Sequence, residues 1–180
     1  TDQDAELFLS RIEWDINSYP INKLEIFKGF QQIAKNINAK FTINYTDEIP
    51  NVAIFVSKQN HCLIDLLWRV RNGELKMNVP LIISNHPDLE GLANDFNAKF
   101  IYYDATYNQK SEIEKQILNK LKLFDIKFAI LAKYMQILSE SFLNEFPEII
   151  NIHHSFLPAF KGSQPYHRAW KRGVKLIGAT

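Results

Sequence analysis

From about residue 50 onward, hydrophobic residues follow two alternating patterns along the chain. Short continuous apolar runs, such as Asn51–Val56, are typical of strands that are buried on both faces of a sheet. Between these runs, hydrophobic residues recur at spacings of three and four, as on one face of a helix. The predicted strands are 51–56, 79–83, 99–103, 128–132 and 149–152, and the predicted helices are 62–73, 88–97, 111–121, 139–146 and 164–172. Buried strands that alternate with helices predict an α/β domain with an open, mostly parallel sheet flanked by helices.

Local signals mark the ends of three of these helices. Gly73 is predicted to close the helix that begins near Cys62. Ser111 and Glu114 have the spacing of a capping box, which predicts that a helix begins there. Ser139 is predicted to cap the helix that follows it.

The first 50 residues show a different pattern. Glu6–Trp14 alternates between two partly apolar sets, which predicts an extended segment. Helical spacing predicts a helix within Ile21–Asn38, and the alternation of Phe41, Ile43 and Tyr45 predicts a short strand. We therefore divide the chain into an N-terminal segment (1–18), a linker helix with a connecting strand (19–50) and the α/β domain (51–180).

Composition narrows the class of protein. The 180 residues have a net charge of +1, with 46% hydrophobic and 23% charged residues, as in an ordinary globular chain. The near-zero charge argues against nucleic-acid binding through a broad basic field, and no apolar run is long enough to predict a membrane span. Cys62 is the single cysteine, so an internal disulfide is impossible and a cytoplasmic location is expected. The polar start argues against a signal peptide.

Glycine is scarce, with six residues in the chain. None of them forms a G-x-G-x-x-G or a Walker pattern, the usual fingerprints for dinucleotide or nucleotide phosphates. A nicotinamide-dependent dehydrogenase, which the α/β pattern alone would allow, is therefore disfavoured.

Candidate chemistry lies where the predicted strands end, because ligands of open α/β sheets bind outside the carboxyl ends of the strands. Asn151 and His153 follow the fifth strand two residues apart, so in extended backbone their side chains leave on the same face. An amide donor beside an imidazole suits acyl chemistry, since the amide can stabilise an oxyanion and the imidazole can transfer a proton. No Gly-x-Ser-x-Gly motif is present, which favours direct attack by water or an amine.

Simpler interpretations of the same residues stay open at this point. Each histidine could be an ordinary solvated residue. The trio His153, His154 and His167 could suggest zinc, but consecutive histidines on a strand diverge, which makes joint ligation awkward and leaves no metal site predicted. On pattern alone, the run Met135–Leu138 is better explained as core.

Five segments together resemble the folate-dependent formyltransferase and hydrolase family. Asn151–Gly162, NIHHSFLPAFKG, is similar to the family's Asn-x-His…Leu-Pro segment. Ser57–Leu63, SKQNHCL, contains no glycine, unlike the phosphate-binding loop of the purine-pathway transferases, and so looks like the hydrolase version. Segments 84–89 (SNHPDL), 133–139 (KYMQILS) and 165–180 (PYHRAWKRGVKLIGAT) resemble the same branch.

The resemblance implies a Rossmann-like formyltransferase fold preceded by an ACT domain, of which 1–18 would be the C-terminal remnant. It implies that Asn151 and His153 are catalytic, together with an Asp expected beyond Thr180. The chain starts without Met and stops in what reads as a strand, so we expect a fragment. The substrate-binding residues implied are Met135, Gln136, Ile137, Leu138, Ile152, His154 and Ser155.

The implied reaction is hydrolysis of 10-formyltetrahydrofolate to formate and tetrahydrofolate, which supplies formate for purine biosynthesis and balances the one-carbon folate pools. No tightly bound cofactor is implied, and a homo-oligomer through the ACT domain is expected. Two alternatives stay open: a formyltransferase with an amine acceptor, and a folate-binding protein without turnover.

Overall fold

The computed structural model describes residues 8–16, 22–104, 110–151 and 165–174. They form two compact units, one up to Glu48 and one from Ile49 onward. The extent of an ACT remnant at 1–18 stays a prediction, and the described residues 8–16 have no regular secondary structure.

The first unit contains one helix, α1 (Lys23–Asn36), among its described residues. Asn22 caps this helix through a capping box with Glu25: the Glu25 amide donates to Asn22 Oδ1 at 2.9 Å, and the Glu25 carboxylate accepts from the Asn22 amide. The Trp14 ring stacks on Phe30 of the helix at 5.5 Å.

The short strand predicted over Phe41–Tyr45 is wrong, since these residues have no regular secondary structure. The Phe41 ring instead packs against Phe27 and Phe30, with ring centroids 5.4 and 6.0 Å away. A strand needs a partner for its backbone groups, and alternation over five residues cannot supply one.

The second unit is a five-stranded parallel sheet with helices between its strands. In chain order its elements are β1 (Asn51–Val56), α2 (His61–Arg71), β2 (Asn78–Ser84), a 3₁₀ turn (Pro87–Leu89), α3 (Glu90–Asp95), β3 (Lys99–Tyr102), α4 (Lys110–Leu123), β4 (Ile126–Leu131), α5 (Glu140–Glu145), β5 (Ile149–Asn151) and α6 (Pro165–Lys171). Every strand pair is parallel, which confirms the predicted fold class.

The core has two layers because β1 is buried on both faces. Ala53 and Phe55 pack on one face with residues of α4 and α5, whereas Ile54 and Val56 pack on the other with residues of α2 and α3. This two-sided burial explains why the strand reads as an unbroken apolar run rather than as an alternating one.

The helix-end predictions had mixed outcomes. Gly73 has a φ of +75° just after α2, and the Ser139 hydroxyl accepts the Phe142 amide at the start of α5, so both of these predictions are confirmed. The capping box at Ser111 and Glu114 is wrong, because α4 already includes Lys110 and Ser111 lies inside the helix. Glu114 instead bonds to Ser139, far along the chain.

The strand order is β3-β2-β1-β4-β5. The chain runs outward from β1 to β3 and then crosses back to place β4 on the other side of β1. A topological switch point therefore lies between β1 and β4, and the carboxyl ends of these two strands are the place where open α/β sheets bind ligands.

Candidate active site

Ser57 joins three loops at the carboxyl edge of the sheet. It directly follows β1 and is 5% exposed. Its hydroxyl donates to Oδ1 of Asn85, the residue after β2, at 2.6 Å, and accepts the backbone amide of Met135, beyond β4, at 3.0 Å. One buried side chain thus ties the ends of β1, β2 and β4 together.

The loop between β4 and α5, residues 132–139, begins at the switch point. The Ala132 amide continues the sheet by donating to the Phe55 carbonyl at 2.8 Å. Lys133 has a left-handed φ of +59°, which turns the chain away from the strand direction, and its ammonium donates to Gln59 in the loop after β1. We refer to this segment below as the β4–α5 loop.

Tyr134 belongs to the β4–α5 loop, and its ring packs against the central strand. It lies edge-on to the Phe55 ring, with centroids 5.3 Å apart. Burial raises the pKa of the Tyr134 phenol to about 12, and the negative charge of Glu114 adds to the increase. The phenol is therefore neutral in any physiological condition and serves the loop as a packing group.

Glu114 of α4 holds the far end of the β4–α5 loop. This carboxylate is 7% exposed and accepts the Ser139 amide at 2.9 Å on one oxygen and the Ser139 hydroxyl on the other. Lys110, one turn earlier on α4, lies 3.9 Å from the same carboxylate. Ser139 thereby links the loop to α4 while it caps α5.

Ser57 and Glu114 thus anchor the two ends of the β4–α5 loop, and the tip between them is exposed. Met135 and Ile137 are 62% and 84% exposed, Gln136 is exposed as well, and Leu138 is half-buried. The interpretation of this run as core is therefore wrong for its first three residues. An anchored loop that presents apolar side chains is compatible with substrate binding, which stays a prediction for all four residues.

Asn151 is the last residue of β5 and is exposed. It pairs in register with Leu131, the last residue of β4, so it lies at the same edge of the sheet as the start of the β4–α5 loop. The other predicted site residues of this region, which are Ile152, His153, His154 and Ser155, lie outside the described residues. The structure therefore brings Asn151 to the predicted edge and leaves its pairing with His153 untested.

Two further histidines flank this edge. His61 begins α2 and is exposed, whereas His86 is half-buried and its backbone amide donates to the Ser84 hydroxyl at 3.0 Å. Across the described ranges, no group of three His, Cys, Asp or Glu side chains could hold a metal ion.

A shallow cavity of about 240 Å³ lies elsewhere in the unit. Its lining includes Val70 and Arg71 at the end of α2, Val79 at the start of β2 and Asn97 just before β3. It is therefore at the amino end of the sheet, away from Asn151 and the β4–α5 loop, and we assign it no part in the candidate site. No helix in the described part of the chain is long and apolar enough to cross a membrane.

The parallel sheet and its switch point define a Rossmann-like α/β protein, with a candidate ligand site at the carboxyl ends of β1, β4 and β5. Comparison with known families makes this class specific: the formyl transferase family matches residues 50–180. The chain belongs to the formyl transferase family.

The chain is also similar to individual members of this family. A protein named formyltetrahydrofolate deformylase from Synechocystis sp. is 48% identical over the whole chain. The crystal structure of a formyltetrahydrofolate deformylase from Burkholderia mallei superposes on 86% of the chain with a TM-score of 0.75 and 44% identity. That of a formyltetrahydrofolate deformylase from Pseudomonas syringae superposes on 91% of the chain with a TM-score of 0.84 and 33% identity. The chain spans 63% of the Synechocystis relative and 56% and 55% of the two crystallised chains.

Proposed function

We propose that this protein hydrolyses 10-formyltetrahydrofolate to formate and tetrahydrofolate. The observation that carries the proposal is the 48% identity, along the entire chain, to a relative named formyltetrahydrofolate deformylase. The glycine-free loop that starts at Ser57 also favours a hydrolase, because a phosphorylated amine acceptor would need a phosphate-binding loop there.

The β4–α5 loop is the proposed folate-binding segment. A pterin is a flat heteroaromatic ring with hydrogen-bonding groups along one edge. Residues 136–138 make no backbone hydrogen bond to another described residue, so their amides and carbonyls are available to such an edge. The flexible, polarisable side chain of Met135 suits contact with the face of the ring.

Asn151 is the proposed oxyanion donor. Water attacks the formyl carbon, the C–N10 bond breaks, N10 takes a proton and formate leaves. The Asn151 amide would donate to the formyl oxygen as negative charge develops on it. His153 is the proposed proton-transfer group, and Ile152, His154 and Ser155 are proposed to complete the substrate site.

No metal or redox cofactor is proposed as a tightly bound group. Hydrolysis of a formamide leaves the oxidation state of the formyl carbon unchanged, so the reaction needs no electron carrier. The proposed role is to release formate for purine biosynthesis and to balance the pools of one-carbon folates.

Asn151→Ala tests the proposed catalytic role. Loss of one oxyanion donor lowers kcat by about 10²–10³-fold, and we expect the dissociation constant for folate to change little. Asn144→Ala is the matched control, because Asn144 is an exposed amide on α5 outside the candidate site. An equal loss of folate affinity in Asn151→Ala would assign Asn151 to binding instead of catalysis.

We further propose that the protein forms a homo-oligomer through its N-terminal unit and works in the cytoplasm. Phe8, Leu9 and Ile12 are all strongly exposed, as are Ile33 and Ile37 of the same unit. Contact with a second copy would remove this apolar surface from water. A monomer in sedimentation velocity at micromolar concentration would contradict the oligomer.

A further inference from the structure

We propose that Ser57 and Glu114 are positioning residues that hold the β4–α5 loop in the conformation that receives the ligand. The inference rests on the proposed folate-binding role of that loop. It assigns a function to two buried polar side chains that, among the described ranges, form no hydrogen bond with a predicted catalytic residue.

Ser57 anchors the first half of the loop. Its hydroxyl has two partners, because it donates to Asn85 at 2.6 Å and accepts the Met135 amide at 3.0 Å. At 5% exposure, water cannot easily replace a partner that is lost. The Met135 amide is thereby fixed against a residue 78 positions earlier in the chain, directly after the central strand of the sheet.

Glu114 anchors the second half. Both of its oxygens are engaged with Ser139, one by the amide and one by the hydroxyl. Charge-assisted hydrogen bonds of this kind are stronger than neutral ones. Since the same Ser139 hydroxyl accepts the Phe142 amide at 3.1 Å, the anchor also fixes where α5 begins.

The two anchors restrain the backbone at both ends of the exposed tip. Met135 and Ile137 would normally turn inward or fluctuate if their backbone were free, since large apolar side chains in water are unfavourable. A loop that is fixed in advance binds its ligand without a cost for ordering it. If an anchor is removed, only a fraction of the molecules has the loop in its binding conformation. The apparent dissociation constant for folate then rises by the inverse of that fraction.

The test is a set of four variants of the full-length protein, assayed for 10-formyltetrahydrofolate turnover, folate binding and amide exchange. Ser57→Ala and Glu114→Ala each remove one anchor, and we expect KM and the folate dissociation constant to rise about tenfold with kcat within about twofold of the parent. Glu114→Gln keeps an acceptor for the Ser139 amide but loses the negative charge and the acceptor for the Ser139 hydroxyl, so we expect KM to rise by less than in Glu114→Ala. Ser84→Ala is the matched control, because Ser84 is an equally buried hydroxyl at the same edge whose bond to the His86 amide does not reach the loop.

Hydrogen exchange gives a readout that does not depend on activity. In Ser57→Ala the Met135 amide loses its acceptor, so we expect faster exchange confined to residues 133–139. Exchange that rises throughout the second unit, or kcat that falls together with stability, would show a general structural role and overturn the proposal. Unchanged KM and unchanged exchange would overturn it as well.

The outcomes separate this inference from the proposed function. If the parent binds folate but releases no formate, a localised rise in exchange with weaker folate binding supports the positioning role while hydrolysis fails. If formate is released and neither anchor variant changes KM, hydrolysis stands and the positioning role is wrong. A parent protein that binds no folate overturns both.

Discussion

At the scale of single residues, Tyr134 shows how the site edge combines packing with electrostatics. Its ring contacts Phe55 of the central strand, and its hydroxyl lies in a buried region that also contains the Glu114 carboxylate. Burial and this negative charge both disfavour the phenolate, which is why the pKa of the phenol is raised to about 12. The folded protein therefore prefers the protonated form more strongly than the unfolded chain does.

This preference predicts a pH-dependent loss of stability. A raised pKa contributes stability that is complete below the unfolded value near 10 and is lost as the pH rises toward 12. Between pH 9 and pH 12, the free energy of unfolding should fall by about 2 kcal/mol more in the parent than in Tyr134→Phe. Urea titrations of both proteins at a series of pH values measure the difference, and parallel curves would contradict it.

The long-range hydrogen bonds of Ser57 and Glu114 could not be predicted from the sequence. Local patterns placed Ser57 after a buried strand, but its partner amide on Met135 is 78 residues away. Glu114 has the right spacing for a local capping box with Ser111, yet its carboxylate bonds to Ser139 instead, 25 residues later. Hydrogen bonds between distant segments have no periodic signature, so only the folded arrangement reveals them.

At the scale of elements, most helices and strands of the second unit were predictable because their hydrophobic residues follow the period of a helix or form the apolar run of a buried strand. The apolar run Asn51–Val56 is a strand because both of its faces are buried. The helix α2 ends before Gly73, whose positive φ few other residues adopt easily. Phe41–Tyr45 shows the limit of such signals, since its alternation reflects packing of an aromatic side chain on α1 rather than a strand.

Two glycines of the second unit should respond differently to substitution by alanine. Gly73→Ala should destabilise the protein by about 1 kcal/mol, because an alanine at a left-handed φ clashes with its own backbone. Gly91→Ala should be neutral or should stabilise by about 0.5 kcal/mol, because Gly91 lies in α3 and an added Cβ meets no atom within 4 Å. The midpoints of urea unfolding test the pair, and a loss of stability in Gly91→Ala as large as in Gly73→Ala would contradict this account.

At the scale of the whole molecule, the order of the strands decides which loops meet. The sequence predicts five strands but no order, because hydrophobic patterning does not tell which strands are neighbours. The observed order places β4 beside β1, so the loops that follow them, although far apart in sequence, meet at one edge. Asn151 reaches this edge because β5 pairs with β4. The prediction of the site therefore depended on family resemblance as well as on pattern.

The central claim is that the protein hydrolyses a formyl folate at the site on this edge of the sheet. Release of formate from 10-formyltetrahydrofolate by the full-length protein, with no amine acceptor present, tests it most directly. The account predicts release that continues over many turnovers and is strongly reduced in Asn151→Ala. No release without an acceptor, followed by loss of the formyl group when an amine is added, would contradict hydrolysis and identify a formyltransferase instead.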